Sequence, residues 1–191
     1  MATVDTAVGV RRHLFTVEEW HRMGEAGLFG EDDRVELLDG EVVDMSPIGL
    51  RHAACVKRLN QHLMRLVEGR AIVSVQDPLR LDDRSEPLPD VALLRPRADF
   101  YVSAHPVPGD TLVAIEVADT SLVYDRDRKA PHYAASGVPE TWVVDLTGRQ
   151  VLVMTDPGPD GYGTLRRVGR GSRLAPTQLP GLTLPVDDIL P

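Results

Sequence analysis

Two carboxylates in the middle of the chain stand where a strand would have to bury them. Asp90 opens a short apolar run after Leu88-Pro89, and Glu116 lies inside the apolar run 112–118. A carboxylate in so apolar a strand is costly to bury unless a metal, a cation or several hydrogen-bond donors compensate its charge. A core arginine as partner, or a place on an edge strand, is the alternative explanation for Glu116.

The spacing of the two carboxylates predicts a metal site. If the strands pair antiparallel across the loop 95–110, Asp90 and Glu116 are each about four or five residues from the turn. They would then lie nearly opposite each other on the two strands. Side by side they would repel, whereas a divalent cation between them makes the pair favourable. Oxygen ligands suit Mg²⁺ (or Mn²⁺) better than Zn²⁺. The intervening loop is long enough to act as a flap over the site.

Lys129 is the third candidate, and it is one of only two lysines in a chain with 19 arginines. A helix over 128–136 tolerates Pro131 only in its first turn, which predicts a helix start near Asp127. Lys129 would then lie in that first turn, where a cation opposes the helix dipole, at the same end of the sheet as Glu116. Taken alone, Lys129 is better explained as a solvated surface lysine. Together with Asp90 and Glu116, a functional cation is favoured.

The elements that position these residues are predicted from periodicity and turn signals. Thr16 and Glu19 form a capping box at the start of a first helix that runs to about Ala26. The helical crossover from the predicted strand 111–117 to the predicted strand 140–145 makes a parallel, right-handed strand pair. We expect Trp20, Cys55, Tyr133 and Trp142 in the core. The remaining predictions are a hairpin over 34–38 and 41–45, a helix over 51–68, strands over 71–81, 90–94, 111–117, 140–145 and 150–154, and short edge strands over 162–168 and 182–184.

Composition limits the class of protein. The 191 residues carry 21 basic and 29 acidic side chains, a formal net charge of -8, which excludes a polybasic nucleic-acid coat but not a local basic patch. The one cysteine, Cys55, excludes an internal disulfide framework and a multi-cysteine zinc site. Since no apolar run suits a membrane span and no secretory signal is visible, we expect a cytoplasmic protein with no membrane partner. We expect one domain over 1–191, with its core in about 15–155 and a glycine- and proline-rich edge over 156–191.

The order of several short motifs along residues 15–155 resembles the Uma-two family of putative restriction endonucleases, in the PD-(D/E)XK nuclease superfamily. The resemblance implies an α/β (α+β) fold, a restriction-endonuclease-like core with a mixed central β-sheet flanked by helices. It also implies metal-dependent hydrolysis of phosphodiester bonds in nucleic acid, with DNA as the expected substrate. The motifs are Arg34 to Val43, Ser46-Pro47, His52, Pro89 to Ala92, Ile115 to Val117, Asp125-Arg126 with Lys129, Tyr133, and Gly137 to Asp145.

The resemblance assigns roles residue by residue. Asp90 matches the aspartate of the superfamily motif and Glu116 its second acid, so both would ligate Mg²⁺ (or Mn²⁺). The superfamily motif has a lysine two residues after this acid, but that position is Ala118, which has no cationic side chain. In the Uma-type pattern the lysine lies on the following helix, at the position of Lys129. Glu36 matches an acid that completes the metal site, with a cross-strand charge pair as the alternative. In this scheme Lys129 orients the attacking water and stabilises the transition state.

Contacts to nucleic acid are predicted for further residues. His52 and Gln76 fit the family pattern and would line the cleft, although helix capping or a core hydrogen bond is the alternative for His52. Phosphate contacts need basic side chains, but an arginine run can equally be a solvated face. The family suggests a homodimer. A catalytically silent nucleic-acid-binding or interaction domain, or a hydrolase of small phosphoesters, is the alternative function. The basic candidates are Arg51, Lys57, Arg58, Arg65, Arg166, Arg167, Arg170 and Arg173.

Overall fold

A computed structural model describes residues 12–30 and 33–191 of the chain. The segment 1–11, for which the sequence predicts no secretory signal, lies outside the described residues. The elements in chain order are α1 (Val17–Glu25), β1 (Val35–Leu38), β2 (Glu41–Asp44), α2 (Leu50–Val67), β3 (Ile72–Ser74), β4 (Val91–Leu94), β5 (Thr111–Ala118), α3 (Leu122–Tyr124), a π turn (Asp125–Lys129), α4 (Ala130–Ala135), β6 (Glu140–Asp145), β7 (Gln150–Gly158), β8 (Gly161–Gly169), β9 (Arg173–Leu174), β10 (Leu184–Pro185) and α5 (Val186–Ile189).

The centre of the fold is one mixed sheet of six strands in the order β3-β4-β5-β6-β7-β8. β5 and β6 are parallel, as the helical crossover between them predicts, and the other neighbours are antiparallel. β1 with β2, and β9 with β10, form two separate two-stranded sheets. The predicted class, a mixed central sheet flanked by helices, is confirmed.

The two faces of the sheet pack against different elements. α2 and the C-terminal residues cover one face, with Leu59 and Leu63 against Ile115 and Trp142. α4 covers the other face, where Ala130 packs near Ala118, Val143 and Leu152. Because successive residues of a strand point to opposite faces, Glu116 lies on the α4 face between Ala114 and Ala118. The amphipathic patterns of both helices follow from this division.

Several elements match their predictions closely. The capping box at Thr16 is present, since its hydroxyl accepts from the Glu19 backbone and the Glu19 carboxylate accepts from the Thr16 backbone. The Asp39-Gly40 turn joins β1 to β2, and both of its residues have positive φ angles of 53° and 75°. Cys55, Tyr133 and Trp142 are buried, whereas Trp20 is only half-buried and packs on Phe29.

The predicted strand 71–81 is wrong beyond Ser74. The chain leaves the sheet there because Gln76 takes a positive φ of 56° and Pro78 cannot donate to a ladder. The following irregular segment, 75–90, instead bonds to the hairpin: the Glu86 N–H donates to the Leu37 carbonyl at 2.8 Å. This segment delivers Asp90 to the start of β4.

The predicted helix start near Asp127 is also wrong. The helical stretch begins at Leu122, and the π turn Asp125–Lys129 precedes α4. In an α-helix the Pro131 ring would clash with the carbonyl four residues earlier; the π turn shifts the bonding by one residue, so that the Ala130 N–H donates to the Asp125 carbonyl. Lys129 is therefore not in the first turn, and the argument from the helix dipole fails.

Two predictions about loops and edges are corrected as well. The loop 95–110 joins the ends of β4 and β5 that lie away from Asp90 and Glu116, and none of its residues lines the cleft described below, so it is not a flap over this site. β8 is an edge strand as predicted over 162–168, but β7 runs beyond the predicted 150–154, and the two strands of nine residues each form a long hairpin. No helix in the described part of the chain has the length and apolar content to cross a bilayer.

Candidate active site

The register of β4 and β5 brings the two acids together. Val91 pairs with Ile115, so Asp90 and Glu116 are the next opposed positions at the end of this strand pair. The Val117 N–H donates to Asp90 Oδ2 at 2.9 Å, which continues the strand contact through a side chain. Both residues line one cleft.

Lys129 lies between two carboxylates. Its Nζ is 2.9 Å from Glu116 Oε1 and 3.0 Å from Glu36 Oε2, and all three side chains are at most 3% exposed. The π turn places the lysine over β5, and β1 of the hairpin places Glu36 on the other side of it. These ion pairs therefore join three elements, β1, β5 and the π turn, through charged side chains.

Backbone and tyrosine groups complete the contacts of this cluster. The Leu88 N–H donates to Glu36 Oε2 at 3.1 Å, and the Tyr124 hydroxyl donates to Glu36 Oε1 at 3.2 Å. The Tyr133 hydroxyl donates to Glu116 Oε1 at 2.6 Å. Each glutamate is thus oriented by a phenol as well as by the ammonium.

Asp90 is held by a different set of donors. His52 Nε2 lies 3.0 Å from Oδ2, and the Gln76 amide donates to Oδ1 at 3.2 Å. Burial alone would raise the pKa of Asp90, but the bonds to His52, Val117 N–H and Gln76 outweigh it and lower the pKa. The structure thus places His52 and Gln76 against Asp90, and the hydrogen-bond alternative weighed for His52 matches this contact.

The electrostatics of the cluster show an excess of negative charge. Burial raises the pKa of Glu116, and the nearby carboxylates of Asp125, Asp90 and Glu36 raise it further, against the opposing effect of Lys129. Burial would lower the pKa of Lys129, but the surrounding carboxylates hold it above its ordinary value. Lys129 therefore stays charged and its partners compete for one cation.

Three residues of the site were missed by the sequence reasoning as functional candidates. Asp125 is buried on the π turn, accepts from the Ser121 hydroxyl at 2.6 Å, and has its pKa raised to about 6 by burial. Tyr124 and Tyr133 are the phenols that contact Glu36 and Glu116. The spacing of four residues from Asp125 to Lys129 to Tyr133 was the available signal, because it puts all three on one helical face.

The cleft has a volume of about 390 Å³ and opens between the hairpin and the end of β5. Residues 43–49 form one wall and 117–121 the other, with Asp90, Glu116 and Lys129 at the floor. The available donors are carboxylate oxygens in excess over the single ammonium. This set fits Mg²⁺ or Mn²⁺, which prefer hard oxygen ligands.

The arginines of β8 lie away from this cleft. Arg167 pairs with Leu152, Leu152 with Val143, and Val143 with Glu116, so Arg167 is on the α4 face three strands away, about 14 Å at ordinary strand spacing. Arg166 points to the opposite face. The run 166–170 is therefore split between the two faces.

The remaining basic candidates are scattered. Arg170 pairs with Asp187 at 3.1 Å, and exposed Arg173 reaches Thr183. Arg51 lies beside the cleft, bonded to Asp119 at 3.0 Å and to the Leu146 carbonyl. Arg34, which sequence reasoning did not name as a phosphate contact, lines the cleft wall. The others, Lys57, Arg58 and Arg65, are exposed on α2.

Two acids on adjacent strands of a mixed sheet, with a lysine from the following helix, are an arrangement of the restriction-endonuclease-like class. The comparisons agree. The family model Uma2, described as "Putative restriction endonuclease", matches residues 17–187, and the chain belongs to this family.

A solved structure supports the fold. A crystal structure of a putative nuclease belonging to DUF820 from Anabaena variabilis ATCC 29413, at 1.96 Å resolution, is similar with a TM-score of 0.69. The match covers 92% of this chain and 97% of that chain at 14% identity, so it supports the fold alone. No curated protein gives a significant match.

Proposed function

We propose that the cleft hydrolyses phosphodiester bonds in DNA with the help of Mg²⁺ or Mn²⁺ held by Asp90 and Glu116. The observation that carries the proposal is the buried Lys129 between Glu36 and Glu116, next to Asp90, at the floor of an open cleft. Nuclease activity is the function that the family and the fold support. Glu36 and Asp125 supply further carboxylates at the same place.

The chain's own residues would do the following. Asp90 presents a carboxylate that His52, Gln76 and the Val117 N–H keep ionised and oriented. Glu116 and Lys129 lie within 2.9 Å of each other, so the ammonium is fixed where negative charge on a phosphate would develop. When bound, the divalent ion would lower the pKa of a water and neutralise phosphate charge.

The burial of Lys129 separates this proposal from a generic charged surface. A cation that only attracts DNA gains nothing from being removed from water, whereas a preorganised catalytic cation acts more strongly in a low-dielectric site. The three acids around it keep it charged even though it is buried.

The test is cleavage of supercoiled plasmid by the full chain with Mg²⁺ or Mn²⁺, beside an EDTA control and the Asp90→Asn variant. Asp44→Asn is the matched control, because Asp44 lines the same cleft but is exposed and outside the cluster. We expect nicked or linear DNA from the wild-type chain and from Asp44→Asn only. Cleavage that persists in Asp90→Asn would refute the assignment.

The same preparation tests the substrate class. A nitrophenyl phosphodiester cleaved at a rate that DNA competitor leaves unchanged would indicate a small-phosphoester hydrolase. DNA binding without cleavage in any metal, by a folded wild-type chain, would indicate the silent binding domain.

A homodimer is part of the proposal, because two copies of the active site would let one assembly cut both strands. Exposed apolar side chains support it: Ile48 lies on the cleft wall, and Leu50 and Val123, each next in sequence to a cleft-lining residue, are 92% and 67% exposed. Sedimentation equilibrium should give twice the chain mass, and Leu50→Glu should shift it to a monomer. A wild-type monomer at the concentration used for cleavage would contradict this part.

A further inference from the structure

We propose that His21, Glu86 and His105 form a second metal site, separate from the cleft, for Zn²⁺ or a similar first-row transition metal. One ligand atom from each lies within 4.8 Å of the other two. His21 Nε2 is 2.6 Å from Glu86 Oε1, and the His21 and His105 rings are 6.0 Å apart between centroids. Two imidazoles and one carboxylate are a ligand set that Zn²⁺ uses, with a fourth position open to water.

Glu86 supplies an independent indication. The residue is only 2% exposed, yet its Oε2 has no hydrogen-bond partner among the described residues. A buried carboxylate oxygen without a donor is costly, and a cation beside it removes the cost. The lone contact with His21 leaves this oxygen free for an ion.

The backbone around each ligand is already tied in place. The Val17 N–H of α1 donates to the Asp83 carbonyl at 2.8 Å, and the Arg80 N–H donates to the Pro106 carbonyl at 3.0 Å, next to His105. Both histidines are partly or fully exposed, so their rings can rotate onto an ion without moving this frame. The site therefore needs little ordering on binding.

The chemistry of this site differs from that of the cleft. The cleft offers carboxylates, which suit Mg²⁺ and Mn²⁺, whereas imidazole nitrogen favours Zn²⁺, Co²⁺ and Ni²⁺. Bound there, the ion would join α1, the segment 75–90 and the loop 95–110. Leu88, two residues beyond Glu86, donates to Glu36 in the cleft, so the ion would also hold one wall of the cluster.

The experiment is calorimetric titration of the full chain with ZnCl₂ in excess Mg²⁺, which competes with Zn²⁺ for the carboxylates of the cleft. We expect one tight Zn²⁺ per chain, and a loss of affinity of at least about tenfold in His105→Ala and in His21→Ala. His62→Ala is the matched control, because His62 faces Asp188 across 3.8 Å without belonging to the three-ligand cluster. It should bind Zn²⁺ as the wild type does.

Three results would overturn the site. They are the absence of tight Zn²⁺ binding by the wild-type chain, an unchanged affinity in His105→Ala, and a Zn²⁺ site that disappears in Glu116→Gln but survives in His105→Ala. Since His105 is exposed, its variant is expected to fold, which circular dichroism checks. The readout is binding and not cleavage, so it stands or falls independently of the nuclease proposal.

Discussion

The cleft and the β7–β8 hairpin use charge in opposite ways. In the cleft, Lys129 and its glutamate partners are buried, in contact, and drawn from separate elements. On the hairpin, Arg166 and Arg167 are exposed and project from opposite faces of one strand. Both regions looked like functional candidates in the sequence, and only their burial separates them.

The two regions differ in how much desolvation free energy their charged side chains cost on folding. An exposed arginine costs almost nothing to keep, so its presence says little about selection for a role. A buried lysine among carboxylates costs several kcal/mol in desolvation that hydrophobic residues would avoid. The cleft cluster is therefore the stronger functional argument, and the following changes test the contrast.

The largest effect is expected from removing the buried cation. Lys129→Met leaves Glu36 and Glu116 buried without their partner, which should lower the free energy of unfolding by about 3–5 kcal/mol. Arg167→Met should change it by less than about 0.5 kcal/mol. Urea unfolding in EDTA measures the free energy of unfolding of both variants. Equal decreases in the two variants would contradict the expected difference between the buried cluster and the exposed hairpin.

A smaller effect is expected from two phenols, the buried Tyr133 beside the cleft cluster and the half-buried Tyr162 of the hairpin. Tyr133 donates to the Glu116 carboxylate at 2.6 Å, so Tyr133→Phe should cost about 1.5–3 kcal/mol, the range for bonds to charged groups. Tyr162 of β8 bonds to the neutral Thr141 hydroxyl and Val138 carbonyl, so Tyr162→Phe should cost about 1 kcal/mol. Chemical denaturation of the two variants compares them directly; a larger loss in Tyr162→Phe would reverse the ranking.

The smallest effect concerns DNA affinity at the hairpin. Arg167 shares the face of Glu116, so Arg167→Gln should reduce the slope of log affinity against log salt by about 1 if DNA extends across that face. Arg166 points the other way, and Arg166→Gln should leave the slope unchanged. Fluorescence anisotropy with a labelled duplex at several salt concentrations gives the slopes, and a wild-type slope in both variants would exclude the hairpin from the interface.

Much of the fold was predictable because its signals are local. The Thr16 capping box, the Asp39-Gly40 turn and the apolar period of α2 each depend on a few neighbouring residues. The strand after Ile72 was predicted too long because the positive φ of Gln76 has no signature in a non-glycine residue. The π turn was missed because Pro131 is compatible with either a helix start or a widened turn.

The candidate site was predicted in part for the same reason. Asp90 and Glu116 were recognisable as acids in apolar strands. Their similar distances from the loop 95–110 predicted that they lie opposite each other on adjacent strands. The donors that surround them come from distant segments: Tyr133 lies 17 and Gln76 14 positions from their acids. Tertiary packing alone brings such groups together. The helical spacing of Asp125, Lys129 and Tyr133 was the one sequence signal for these contacts.

The most direct test of a metal site at the buried carboxylates is Mn²⁺ binding, measured by electron paramagnetic resonance of the free ion. We expect the wild-type chain to bind Mn²⁺ and Glu116→Gln to weaken binding by at least about tenfold. Arg167→Gln, with its change on the exposed hairpin, should bind as the wild type does. Equal Mn²⁺ affinity in the wild-type and Glu116→Gln chains would contradict the claim that the buried carboxylates form a metal site.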